Sequence, residues 1–164
     1  MQKSPAQDQG HPMAAMKYTT FAQMIAAGTI IMFGLMYLNT YSLDHIFFSE
    51  TRAYMALVMG ATMAIVMLAF MWKMYPNKGI NIGILIVSVT VFAGALWLVR
   101  SQATVDDAAY MRAMIPHHSI AILTSERANI SDPKVRKLAD GIIAAQRKEI
   151  GEMTTYLSDL DTKR

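Results

Sequence analysis

Within the eight residues Met111-Arg-Ala-Met114-Ile-Pro116-His117-His118 the chain places two thioethers, two imidazoles and a proline. Soft sulfur and borderline nitrogen ligands together suit copper, Cu(I) above all. Further along, Glu149 and Met153 lie one helical turn apart and would add a carboxylate and another thioether. Met111, Met114, His117, His118, Glu149 and Met153 are therefore the candidate metal ligands, with a copper ion as the expected cofactor. Histidine and glutamate without the thioethers would equally suit zinc or iron. The plainer alternative makes His118 a helix histidine satisfied by a carboxylate such as Glu149, with Met111 and Met114 as adaptable core fillers.

Two helices must position these groups. Thr104-Val-Asp-Asp107 has the Ser/Thr-x-x-Asp/Glu form of a helix start, which predicts a helix from about Val105 to Asn129, bent or restarted at Pro116. Ser131-Asp132-Pro133 offers a cap followed by proline at the first helical position, and a second helix is expected from Pro133 to about Leu160. On the first helix Asp107, Met111, Ile115, His118, Ile122 and Ser125 share a face, with Met114 at its edge and His117 about a quarter turn away. On the second, Val135, Leu138, Ile142, Met153, Leu157 and Leu160 form an apolar stripe that encloses Gln146 and Glu149. A carboxylate on such a face is costly unless it is paired or ligated.

The rest of the chain is unlike a soluble domain. Of 164 residues, 54% are hydrophobic and 16% charged, more apolar than a globular protein of this size. The excess falls in Tyr18–Leu38, Tyr54–Trp72 and Ile80–Val99, each close to the ~20 residues that cross a bilayer as a helix. Aromatic residues flank them, including Tyr18, Tyr37, Trp72, Tyr75 and Trp97, as at membrane interfaces. The organisation expected is an N-terminal arm over 1–17, a three-helix transmembrane domain over 18–99 and a helical-hairpin domain over 100–164. No removable signal peptide is expected. Lys3, Lys17, Lys73 and Lys78 on one side against Arg52 and Arg100 on the other place the N-terminus in the cytoplasm. The C-terminal domain would then lie outside, in the periplasm of a bacterial inner membrane.

Several functions are disfavoured by composition. Residues 100–164 carry ten basic and nine acidic side chains, a solvated surface and not a nucleic-acid footprint. Cysteine is absent, which excludes disulfides and thiolate sites. There is no nucleophile–base pairing, phosphate-binding glycine loop or di-iron constellation, so an enzyme is not expected. Met55, Met59, Met63, Met67 and Met71 recur every fourth residue in the second span. They are either packing residues or a relay for soft ions, the latter implying copper transport. Gly79 and Gly83 read as helix-packing positions. The loop from Asp44 and His45 to Glu50 is expected to cap a helix, with added metal ligands as the alternative.

The run Met114-Ile-Pro-His-His118, followed by Ala121-Ile122, Val135-Arg-Lys-Leu-Ala139, Ile142-Ile-Ala-Ala-Gln146 and Glu149-Ile-Gly-Glu-Met153, resembles the bacterial domain-of-unknown-function family 305. The resemblance covers about Asp106 to Leu157, and the three spans are similar to its membrane-anchored branch. It implies a ferritin-like helical bundle, with copper binding or metal tolerance in the periplasm. Family domains often open with His-Asp where this chain has Val105-Asp106, and many carry two copies of the motif where this chain has one. A hairpin of this length buries little core alone. An all-α fold is thus expected, in which the hairpin pairs with a second copy into a four-helix bundle, as a homodimer or higher homo-oligomer, with packing on its own membrane spans as the competing solution. The function expected is membrane-anchored periplasmic copper buffering, sensing or handover to a metal-handling partner. Transport along the methionine ridge and a metal-free structural or assembly role are the alternatives.

Overall fold

The computed structural model describes the backbone of residues 10–162 and the side chains of residues 18–162. Among them are five α-helices and no strand: α1 (Gly10–Leu35), α2 (Glu50–Phe70), α3 (Lys78–Ser101), α4 (Asp107–Arg127) and α5 (Pro133–Thr162), with 3-10 turns at Leu43–His45 and Trp72–Met74. The all-α expectation holds. Tyr18–Leu35, Glu50–Phe70 and Lys78–Ser101 are long and apolar enough to cross a membrane. Helix α1 begins inside the N-terminal arm; the remainder of that arm lies outside the described residues.

The chain forms two compact units. The first comprises the chain up to Met32 together with Met55–Trp97. Its core is Phe21, Ala64, Leu68 and Tyr75, with Met67, Met71 and Ile84 packed around them. Helix association in lipid depends on close packing at small residues, because lipid tails are as apolar as leucine. Gly60 and Gly28 meet that need: a Cβ on Gly60 would lie 2.2 Å from Thr29 Oγ1, and one on Gly28 would lie 2.7 Å from Met63 Cε. Met63, Met67 and Met71 pack against neighbours within this unit. Gly83 departs from the expected helix contact, since nothing lies within 4 Å of its Cβ position. At one end, Tyr18 Oη donates to Asn81 Oδ1 (2.7 Å), and Asn81 Nδ2 donates to the Tyr75 carbonyl (3.0 Å). These bonds satisfy a fully buried amide.

The second unit joins Phe33–Tyr54 to everything from Leu98 onward, and it contains the α4–α5 hairpin. Its core is Met111, Ile115, Ile122, Ile150 and Leu157, with Phe47, Ile143, Met153 and Leu160 packed against it. Helix α4 starts two residues later than the Thr104 pattern predicted. Asp106 is the cap, its Oδ1 accepting from Ala109 N at 2.8 Å, while Thr104 Oγ1 bonds Tyr54 Oη instead. Pro116 neither ends nor restarts α4, which runs unbroken through it. The α5 start is as expected, with Asp132 Oδ1 accepting from Lys134 N (2.7 Å) and Val135 N (3.1 Å). Arg136 reaches back across the turn to donate to the Ser125 carbonyl, at 3.0 Å, in the last turn of α4.

The apolar stripe of α5 differs from the expected one. Its packed positions are Ala139, Ile143, Ile150, Met153, Leu157 and Leu160, a four–three spacing that meets a single partner helix. Val135, Leu138 and Ile142 lie beside that seam, 50%, 65% and 37% exposed. Two apolar ridges about 100° apart merge at Met153, and a two-helix seam is too narrow to cover both. The outer ridge continues through Ala145 to Glu149.

Candidate functional site

Helices α4 and α5 run antiparallel, which brings His118 opposite Glu149: Nδ1 lies 3.0 Å from Glu149 Oε2. The two differ in surroundings, His118 being 14% exposed and Glu149 47%. The contact is close in distance but out of line for a hydrogen bond, so His118 Nδ1 is buried without one. That geometry holds the buried nitrogen near an acidic oxygen without a well-formed hydrogen bond, and such an atom calls for an explanation. His117 points to solvent, its ring centre 6.2 Å from that of His118. The proline does not turn it inward.

Met111 and Met153 lie elsewhere along the same seam. They line a cavity of about 520 Å3 together with Asp107, Tyr110, Tyr156 and Asp159. Seven residues separate Met111 from His118, about 10 Å along the helix axis. The six candidate ligands therefore divide into the His118–Glu149 pair and the Met111–Met153 pair, with Met114 half-buried and His117 exposed. Among the described residues, no three histidine, aspartate or glutamate side chains converge on one point. Any ion held here would need thioether sulfur or donors from a second chain to complete its coordination.

Burial holds the His118 imidazole below its ordinary value; Glu149 pulls it back up in part and His117 adds to the lowering. The neutral ring that results is the form that ligates metals. A depressed histidine also has a stability consequence of definite sign. Above about pH 6.5 the ring is neutral in both folded and unfolded chains, and the hairpin keeps its full stability. As pH falls from there through the lowered folded value, the unfolded chain takes the proton first and stability is lost. The urea midpoint of metal-free protein is expected to drop more steeply between pH 7.5 and 5 than that of His118→Gln. Equal slopes in the two proteins would contradict this.

The sequence does not single out Ser119, yet it organises the neighbourhood. It is fully buried, and its Oγ accepts from Tyr41 N at 2.7 Å and lies 2.9 Å from His45 Nδ1. Arg147 on α5 pairs with Glu126 and lies over the Tyr41 ring, 5.9 Å from its centre. The loop thus clamps the hairpin at the position next to His118, a tertiary role that the spacing of His45 and Ser119 in the chain could not signal. His45 does not reach the His118–Glu149 pair closely enough to form a three-residue cluster.

Residues 107–164, the hairpin, match the family described as a domain of unknown function, DUF305. The chain is 38% identical over 108 residues to an uncharacterised protein of Acanthamoeba polyphaga mimivirus, a match covering 65% of this chain and 69% of the viral one. No solved structure matches. The hairpin that carries the His118–Glu149 contact is the part that the family describes, and by that match and the extent of the viral likeness the chain belongs to DUF305.

Proposed function

We propose that this is a membrane-anchored metal-binding protein whose hairpin holds copper for buffering, sensing or handover to a metal-handling partner. In this reading the three apolar helices sit in a bacterial inner membrane, with the N-terminus cytoplasmic and the hairpin in the periplasm. The observation that carries it is His118 Nδ1, a buried imidazole nitrogen without a hydrogen bond, beside the Glu149 carboxylate and on the same seam as two packed thioethers. His118 and Glu149 would hold the ion, with Met153, one helical turn from Glu149, able to add the sulfur that favours copper over harder ions, while Met111, about 10 Å along α4 from His118, would serve a neighbouring position. Bound copper would be stored and passed on by ligand exchange, with no substrate bond made or broken.

One hairpin offers too few donors at one point, and the exposed Val135–Leu138–Ile142 ridge leads directly to Glu149. A second copy packing on that ridge would cover apolar surface and bring further donors beside the pair. This is how facing helices build metal sites in four-helix bundles. The homodimer is therefore part of the same proposal.

The test is metal analysis of full-length protein in detergent, stripped with chelator and titrated with Cu(I), Cu(II) and Zn(II). Wild type is expected to bind copper in preference to zinc, and His118→Ala to weaken it by about tenfold or more, the equivalent of ~1.4 kcal/mol or more. A His117→Ala/His118→Ala double variant that binds as much copper as wild type would sink the proposal.

A further inference from the structure

The first unit carries a feature that copper handling does not use. Between α1 and α3 runs an apolar groove of about 650 Å3, walled by Ala22 and Ala26 on one side and Gly83 and Val87 on the other, with Ala64 of α2 as its floor. Small residues form its walls and floor, and the missing Gly83 side chain leaves it open, with nothing within 4 Å of that Cβ position. Tyr18 stands at one end, its hydroxyl fixed by Asn77 and Asn81. Lys78 follows Asn77 directly, and Lys73 lies two residues before Tyr75, whose ring centre is 5.1 Å from that of Tyr18. Both lysines are exposed, and neither has a carboxylate partner among the described residues.

We propose that this groove holds an acyl chain of an anionic phospholipid, with the phosphate between Lys73 and Lys78, beside the Tyr18 ring. The inference rests on the reading of these helices as membrane spans. Basic residues at the mouth of a cleft between transmembrane helices attract anionic headgroups, and an aromatic hydroxyl is at home at headgroup level. A flexible tail fills an apolar channel without leaving polar backbone unpaired. A second copy of the chain fits less well. Chains inserted in the same direction carry their lysines at the same depth, so seating one copy in the other's groove would bring like charges together.

Native mass spectrometry of the full-length protein, released from nanodiscs of phosphatidylglycerol or of phosphatidylcholine with the same tails, tests this. Wild type is expected to retain phosphatidylglycerol at collision energies that strip phosphatidylcholine. Gly83→Leu places bulk in the open groove from a position whose Cβ meets nothing within 4 Å, and should reduce that retention several-fold with helical content unchanged. Lys73→Gln/Lys78→Gln should lower phosphatidylglycerol retention to the level of phosphatidylcholine. Equal retention of both lipids by wild type overturns the proposal, as does undiminished retention by Gly83→Leu. So does an oligomer that Gly83→Leu dissociates, which would make a second copy the occupant. Release of the protein from membranes by alkaline carbonate would instead remove the membrane reading itself.

Discussion

Replacing Ile115 with alanine is expected to destabilise the hairpin by about 2–5 kcal/mol, the range for deleting a buried aliphatic side chain and leaving a partly collapsed cavity. Ile115 is fully buried at the centre of the second unit's core, with Met111 one turn before it and Ile150 and Leu157 across the seam. The surroundings cannot relax inward easily. Pro116 is fully buried beside it and lacks a backbone N–H, so the helix is already short of a hydrogen bond at this turn. A two-helix core has few other contacts to absorb the loss, and a whole domain is stable by only about 5–15 kcal/mol. Amide hydrogen exchange across α4 and α5 of the full-length protein in detergent reads the effect directly. Protection should fall throughout both helices, by about tenfold for each 1.4 kcal/mol lost. Lys137→Ala, on the exposed face of α5, should stay within about 0.5 kcal/mol of wild type. Equal protection in Ile115→Ala and wild type would show that the hairpin is not held by this core.

Why Ile115 and His118 could be read from the chain while other positions could not is a matter of range. Their partners follow from helical period and from a very short turn, both local properties, and the antiparallel pairing then brings Glu149 opposite His118. The caps show the same locality: Asp132 and Pro133 start α5 where their chemistry says, because capping acts over two or three residues. The misplaced α4 start has a tertiary cause, since Thr104 is taken by Tyr54 and the cap falls to Asp106. The stripe on α5 fails for a related reason. Leu138 and Ile142 are as apolar as Ala139 and Ile143 one position on, and only the presence or absence of a partner helix decides which ridge is covered. A second hairpin would make both choices correct, with the Ala139 ridge facing α4 and the Val135 ridge facing the other chain.

The candidate site shows the limit more sharply. Residue types identify thioether and imidazole donors, but they carry no information on depth along a helix. Met111 and His118 share a face and still stand two turns apart, so one face became two pairs. Met114 and His117 have the right chemistry at the wrong phase. An unbroken α4 leaves them there, since a proline that a helix accommodates without a break does not re-aim its neighbours.

Ser119→Ala is expected to free the loop around Tyr41 and His45 from the hairpin at a cost of about 1 kcal/mol, the net worth of a typical hydrogen bond at a part-buried donor. The Tyr41 N–H donates to Ser119 Oγ at 2.7 Å, and His45 Nδ1 lies 2.9 Å from the same oxygen. One hydroxyl can serve both, accepting from the amide and either donating to or accepting from Nδ1 according to the His45 tautomer. Alanine removes both interactions without adding bulk, so the helix itself should persist; serine and alanine differ little in a helix whose face is already packed. The loss therefore belongs to the loop, and the readout must be local. Amide exchange at Tyr41 should rise about fivefold or more, 1 kcal/mol being a factor of about five. Protection at Ile122 and Ile150 should hold, and a protease that cuts after aromatic residues should open the chain at Tyr41 or Phe47. His118 is the next residue on α4. Copper affinity that falls together with loop protection would make the clamp a positioning device for the imidazole, whereas unchanged affinity would confine its role to stability. Unaltered exchange at Tyr41 in Ser119→Ala would refute the clamp.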